Sequence, residues 1–343
     1  MSTANAAADT IGFGIIGTGM GGNRARMTLA TEGAALRAVC DLRAETAQAR
    51  GAEWDCDWTT SPAELMARDD VDVVGVFTPS GTHGDLAIAA AEAGKHVITT
   101  KPPEVTVARV NAMAAAARKA GVLLAVDYQS RYMDDMRRVK QALDAGRLGR
   151  PLLAQLRVKA YRTATYFTGG SPPGWRGTWR YDGGGSLANQ SIHELDLLQW
   201  FMGPVVSVRA RTNVFKQPIE TEDTCQAWLN FASGAWGTIE TTTISYGQSD
   251  RTIEAQGTNG SIRLTDWRVQ EWHFQDEADD GSETWEPDLP AGRPMNIIED
   301  VVGALRDGTP LACPIEEGRK SVAILEAIYA SARAGGSEVR VWQ

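Results

Sequence analysis

Six residues of strand-like character, Ile11 to Ile16, run directly into Gly17-Thr18-Gly19-Met20-Gly21-Gly22. This junction constrains the chain more than any other feature. Glycines this dense at a strand end allow a tight turn without side chains, so the backbone can approach a bulky anionic group. A helix opening directly after them offers unpaired N–H groups and the positive end of its dipole. The pattern G-x-G-x-x-G alone is weak in a chain with 35 glycines. Its setting makes it informative. Short runs rich in Val and Ile recur at Leu36–Cys40, Val71–Phe77, His96–Thr99 and Leu123–Val126, and helical stretches separate them. Near-continuous apolar strands are buried on both faces. Their alternation with helices predicts right-handed crossovers and a doubly wound parallel sheet.

Local signals agree. Ser61-Pro62-Ala63-Glu64 predicts a helix start, with Ser61 as N-cap, Pro62 in the first helical position and Glu64 completing a capping box. Gly94 and Gly121 mark the ends of helices from about Leu86 and about Val107. After about Tyr128 the pattern changes. A helix from about Met133 to Ala145 precedes a strand, Leu152 to Tyr161, and a loop rich in Gly, Pro and Trp. A helix over Leu187 to Met202 follows, with Asn189, His193 and Asp196 on one face. Successive strands then reach about Phe274, with hairpin turns at Ala232-Ser233-Gly234 and Asn259-Gly260. Strands without intervening helices predict an antiparallel sheet. An acidic loop, Asp276 to Pro294, and two helices, Met295 to Leu305 and Ile315 to Ala334, close the chain. The predicted boundaries are 1–128 for a dinucleotide-binding domain, with 1–10 as a mobile tail, and 129–343 for a substrate-binding and oligomerisation domain.

Composition narrows the functions. The 34 basic and 43 acidic residues leave a net charge of −9, which disfavours a nucleic-acid partner. No apolar run approaches the roughly 20 residues of a membrane span, and the first ten residues lack a secretory pattern. Cys40, Cys56, Cys225 and Cys313 are scattered, and only four histidines exist, so the expectation is a cytoplasmic protein with free thiols and no metal site.

Asp41 ends the second strand 19 residues past Gly22, close to the expected spacing of about 20. A carboxylate there accepts hydrogen bonds from both ribose hydroxyls of NAD and repels the 2′-phosphate of NADP. Arg43 pulls the other way, because a guanidinium pairs with phosphate. NAD is preferred and NADP kept as the alternative. The candidate cofactor residues are Gly17, Thr18, Gly19, Met20, Gly22, Asp41, Arg43, Thr78, Pro79, Ser80, His83, Lys101 and Gln129. Thr78-Pro79-Ser80 belongs with them because it follows a strand at the carboxyl edge of the sheet. His83 is expected to pack under the cofactor at a helix start rather than to catalyse.

Lys101 follows the strand His96–Thr99, where an ammonium near the cofactor polarises a substrate oxygen. His193 has the pKa range for proton transfer near neutral pH.

These motifs in order resemble the Gfo/Idh/MocA family of NAD(P)-dependent oxidoreductases. The resemblance rests on Gly17–Gly22, Thr78-Pro79, His83, Ala93-Gly94-Lys95-His96-Val97, Lys101-Pro102, Gly183 to Asp196 with Trp200 and Gly203, and Ile315-Glu316-Glu317-Gly318-Arg319-Lys320-Ser321. It implies an α/β Rossmann domain plus an α+β domain with a large open, mainly antiparallel sheet. It implies hydride transfer between a nicotinamide and a sugar, cyclitol or related polyol. The family's lysine falls on Lys101 and its histidine on His193. Thr100 stands where the family usually has Glu, and Asn189 where it usually has Asp. Asn189 cannot exchange a proton, so the acid/base role falls on His193, with Lys101 as polariser and Asn189 as a partner for a substrate hydroxyl.

Substrate contacts are expected from Tyr161, Arg162, Trp175 and Arg176, together with Lys101, Asn189 and His193. Aromatic faces with polar tips suit carbohydrate, and Arg176 would also suit an acidic substrate. Trp179 is expected to anchor its loop instead. Two rival readings stand beside the dehydrogenase: a redox-neutral sugar-modifying enzyme with tightly held NAD, and a non-catalytic NAD-sensing regulator. Strands after Asn213 alternate polar and apolar residues less cleanly than a solvated face would. That pattern and the family imply a dimer or tetramer through this sheet.

Overall fold

The computed structural model describes residues 10–247, 249–275 and 289–342. The expected tail, up to residue 9, and the acidic loop over 276–288 lie outside the described residues. The chain divides into two compact units. The first comprises Met1–Glu104, Ala108–Gln129 and Pro294–Glu317, and the second Val105–Val107, Ser130–Arg293 and Gly318–Gln343.

The first unit holds six parallel strands: β1 (Ile11–Ile16), β2 (Ala34–Cys40), β3 (Asp57–Thr59), β4 (Val73–Val76), β5 (His96–Thr100) and β6 (Leu124–Asp127). Their order is β3-β2-β1-β4-β5-β6. This is the Rossmann order, and it reverses beside β1, which opens a crevice at the carboxyl ends of the strands. The sequence pattern missed β3. It is three residues long, lies at the sheet edge and exposes Asp57 and Trp58, so no apolar run marks it.

Helix ends follow their local chemistry. The Ser61 hydroxyl accepts from Glu64 N–H at 3.3 Å and Pro62 opens the helix Pro62–Met66. The capping box is only half formed. Glu64 takes the Thr59 hydroxyl, and Ser61 N–H donates to Thr59 Oγ1 at 3.0 Å. Gly94 and Gly121 end the helices His83–Glu92 and Val107–Ala120 with φ of 75° and 71°, the left-handed region where glycine is unstrained. The helix Ile297–Asp307 packs on the helix Thr18–Ala30 and on β6. Its own cap, Asn296, accepts from Ile298 N–H and Glu299 N–H.

The second unit holds β7 (Pro151–Lys159), β8 (Val205–Asn213), β9 (Thr224–Phe231), β10 (Trp236–Thr242), β11 (Asp250–Gly257), β12 (Gly260–Thr265), β13 (Arg268–Phe274) and β14 (Val339–Arg340). Their order is β13-β12-β11-β7-β10-β9-β8-β14. Only β7 and β10 run parallel, and every other pair is antiparallel. The helix Ile192–Met202 covers β7 and β11 on one face, and the helix Asp134–Asp144 packs on that helix.

Burial alternates residue by residue along β7, β9 and β10, more regularly than the sequence suggested. Ala154, Leu156 and Val158 point inward, and Leu153, Gln155 and Arg157 point outward. The irregularity in the sequence comes from large apolar residues on the outward face. Leu153, Trp228 and Trp236 are 47 %, 43 % and 54 % exposed.

Candidate active site

The glycine loop of the first unit has three different reasons for its glycines. Gly17 adopts φ 88°, and a Cβ there would stand 2.6 Å from the Phe77 carbonyl oxygen. A Cβ on Gly19 would meet nothing within 4 Å, so the space above the first helical turn is open. Gly21 is where helix and strand approach most closely, because its Cβ would lie 2.8 Å from Ile15 Cγ2. Gly22 faces only Trp54 at an ordinary 3.4 Å, so close packing belongs to Gly21 rather than to the motif's last glycine. Met20 is exposed beside this opening.

Asp41 stands where the spacing placed it, just past β2. Its Oδ2 accepts from Thr18 N–H at 3.1 Å and from the Thr18 hydroxyl at 2.6 Å. Its Oδ1 accepts from Arg43 N–H at 3.2 Å, and the Arg43 side chain is exposed. An open glycine turn, a helix N-terminus with no acidic residue in its first turn, and a carboxylate at the next strand end fit a dinucleotide.

The loops after β4, β5 and β6 continue the same edge. Thr78 and Thr82 share a hydroxyl hydrogen bond of 2.7 Å, and Ser80 is buried below them. His83 is fully buried. Its Nε2 lies 2.7 Å from the Thr78 carbonyl and its Nδ1 3.1 Å from the Pro102 carbonyl. It therefore ties the Thr78-Pro79 loop to the loop carrying Lys101, and burial pushes its pKa down. Sequence reasoning missed two residues here. Asp127 ends β6 in a buried ion pair with Arg24 at 2.5 Å, and Arg24 also donates to Gln129 at 3.3 Å. Burial raises the Asp127 pKa, while Arg24 and the Lys101 ammonium oppose that rise. A charge closing an apolar strand was the available signal.

In the second unit His193 sits in the first turn of the helix Ile192–Met202 and is 9 % exposed. The Trp267 ring meets it edge-on at 5.4 Å between centroids. Trp267 and Asp266 form the β12–β13 turn with φ of 61° and 48°, an uncommon conformation for such residues. The Trp267 indole donates to Glu194 at 3.1 Å, and Arg251 pairs with the same Glu194 oxygen at 2.8 Å. None of these three partners was anticipated.

The expected helix over Leu187–Met202 begins only at Ile192, so Asn189 does not share a helical face with His193. The reason is Glu222. Its carboxylate accepts from Gly185 N–H at 3.0 Å, Leu187 N–H at 2.9 Å and the Tyr329 hydroxyl at 3.1 Å, which holds the preceding residues in a turn. Complete burial pushes its pKa up to about 7. Asn189 Nδ2 donates to Asp182 at 2.5 Å, and its Oδ1 accepts from the Tyr166 hydroxyl at 3.0 Å. Arg131 grips Asp196 with two bonds of 2.8 Å in a fully buried pair.

The expected substrate contacts separate into two groups. Tyr161 stacks on Tyr246 at 4.4 Å, with the Lys216 ammonium 5.4 Å from its ring. Arg162 and Arg176 instead lie over Tyr166, at 5.3 and 4.7 Å, and Arg176 also covers Trp175 at 4.8 Å. Trp179 packs edge-on against Tyr329, as an anchor does.

Comparison with known proteins agrees with this geometry. Residues 11–128 match the family model described as oxidoreductase family, NAD-binding Rossmann fold, and residues 136–263 match the GFO/IDH/MocA C-terminal domain. The WlbA dehydrogenase of Bordetella pertussis, solved with NADH and UDP-GlcNAcA, superposes with a TM-score of 0.86 at 32 % identity over 97 % of this chain and 99 % of that one. This chain belongs to the GFO/IDH/MocA family of NAD-binding oxidoreductases. Curated relatives include the NAD-dependent scyllo-inositol 2-dehydrogenase of Bacillus subtilis, 28 % identical over 62 % of this chain. That match spans 60 % of the Bacillus enzyme's own length. The D-apiose dehydrogenase of Paraburkholderia graminis is 27 % identical over 89 % of this chain and 82 % of its own. Among the described residues no helix is long and apolar enough to cross a membrane, and no cluster of three metal-ligating side chains occurs.

Proposed function

We propose that this family member is a dehydrogenase or reductase acting on a secondary alcohol or ketone of a sugar, cyclitol or sugar derivative, with NAD as cofactor. The observation that carries the reading is the open turn at Gly19 beside the Asp41 carboxylate, in a chain whose relatives oxidise inositols and sugars. Gly17, Thr18, Gly19 and Met20 hold the pyrophosphate, Asp41 the ribose, and Thr78, Pro79 and Gln129 line the way to the nicotinamide. The Asp41 carboxylate, fixed beside the turn by Thr18, carries the preference for NAD, with NADP the alternative that exposed Arg43 would serve.

When bound, NAD supplies the carbon that accepts the hydride. His193 takes the hydroxyl proton, which a histidine does best near neutral pH. Lys101 keeps its ammonium near the substrate oxygen and lowers the cost of the negative charge that develops there. Asn189 exchanges no proton and sets the position of Tyr166. The outward Leu153, Trp228 and Trp236 support a homo-oligomer through the sheet, and four free cysteines suit a reducing compartment, so we place the chain in the cytoplasm.

The test is a titration of purified protein with NAD and NADP, followed by nicotinamide absorbance against inositols, aldoses, anhydro-sugars and uronates. Tighter NAD binding and reduction by one compound class are expected. Equal affinity for both cofactors with no absorbance change across the panel would reject the reading.

A further inference from the structure

Arg162 and Arg176 present an unusual arrangement. Both guanidinia lie over the single ring of Tyr166, and both side chains are half-buried. Among the described residues neither has a carboxylate within ion-pairing distance. Arg162 spends one N–H on the Gln190 amide oxygen at 2.8 Å, and Arg176 makes only its two ring contacts. This occurs in a chain with nine more acidic than basic residues. The Asp182 carboxylate, joined to Tyr166 through Asn189, accepts instead from Gly177 N–H at 2.8 Å and from Asn189.

The arrangement is built rather than loose. Arg162 N–H donates to the Thr243 carbonyl at 2.9 Å, and buried Gln217 donates to the Arg162 carbonyl at 2.7 Å. Tyr166 is held at its hydroxyl by Asn189 and by Gln190 Nε2 at 2.7 Å. Two like charges gathered on one ring repel each other, and cation–π attraction offsets only part of that. An anion between or beside them would remove the repulsion and form charge-assisted, bidentate hydrogen bonds.

We propose that the substrate is an anionic sugar, with a carboxylate or phosphoryl group received by Arg162 and Arg176. This rests on the hydride-transfer reading above and adds the substrate class. Tyr166 links the anion site to Asn189 through its hydroxyl.

Binding measured by calorimetry in the presence of NADH tests this apart from turnover. The probes are glucose, glucuronate, glucose 1-phosphate and a nucleoside-diphosphate glucuronate. Glucuronate separates a carboxylate from the phosphoryl source, and glucose 1-phosphate does the reverse. At least one anionic probe should bind about 10- to 100-fold tighter than glucose, the range of a charge-assisted hydrogen bond. Its affinity should fall with added salt while that of glucose stays level. The double variant Arg162→Gln/Arg176→Gln should lose that preference, with KM for the anionic substrate rising far more than kcat falls. Arg176→Lys should keep part of it. Anionic and neutral probes binding equally, no anionic probe binding, or a salt-independent preference would overturn the inference. The salt series needs no variant and decides even where the double variant fails to fold. Tight anion binding without any nicotinamide signal would uphold the anion site and contradict the hydride-transfer reading.

Discussion

Glu222 makes the stability of the second unit depend on pH in a direction that can be worked out in advance. Its carboxyl is fully buried, and burial outweighs three hydrogen-bond donors to lift its pKa from 4.5 to about 7. A carboxyl with a raised pKa binds its proton more tightly in the folded state than in the unfolded one. Its contribution to stability is therefore present in full below the unfolded value of 4.5 and is lost as pH rises through about 7. A shift of this size corresponds to about 3 kcal/mol, most of it lost between about pH 5 and pH 8. His83 acts oppositely. Its lowered pKa favours the neutral ring, so its contribution is lost as pH falls. The comparison must isolate Glu222, and Glu222→Gln does so. Urea denaturation of wild type and Glu222→Gln at pH 5, 6, 7 and 8 should show wild type losing about 3 kcal/mol of unfolding free energy relative to the variant towards pH 8, because neutral Gln mimics the protonated carboxyl at every pH. At a slope of about 1–3 kcal/mol per molar urea, the wild-type midpoint should fall by about 1 M or more relative to that of the variant. A difference that stays constant over this range would refute the argument that burial dominates at Glu222.

Three further outcomes follow from the same reasoning. Asp41→Ala should weaken NAD by about 10- to 100-fold and narrow its advantage over NADP, read by cofactor titration. Arg131→Met should cost about 3–5 kcal/mol because it strands the buried Asp196 carboxylate, while Arg131→Met/Asp196→Leu should recover most of that loss in thermal unfolding. The proposed homo-oligomer predicts that Trp236→Glu, on the exposed outward sheet face, lowers the mass seen in light scattering without unfolding the protein.

The sequence carried most of the first unit because parallel strands buried on both faces are written as apolar runs, and glycines and Asp41 fall at fixed offsets from them. β3 escaped because a short, exposed edge strand has no such run. The second unit was readable as strands and turns, but not at its site. Asn189 was placed on a helix by spacing alone, and the sequence has no local sign that Glu222, 33 residues later, would hold Gly185 and Leu187 in a turn. Trp267 likewise reaches His193 from a hairpin turn whose Asp-Trp sequence is unusual for positive φ. Tyr161 and Arg162 follow the end of β7 and take different partners, Tyr246 for the first and Tyr166 for the second. Such non-local partners arise from tertiary packing, which spacing along one segment does not encode.

The measurement that tests the central claim most directly is turnover and NAD affinity for wild type and His193→Ala, across pH, with the best anionic sugar. Wild type should reduce NAD, and His193→Ala should keep its NAD affinity while losing about 100- to 10,000-fold in turnover. Wild-type turnover by His193→Ala at every pH would contradict the account.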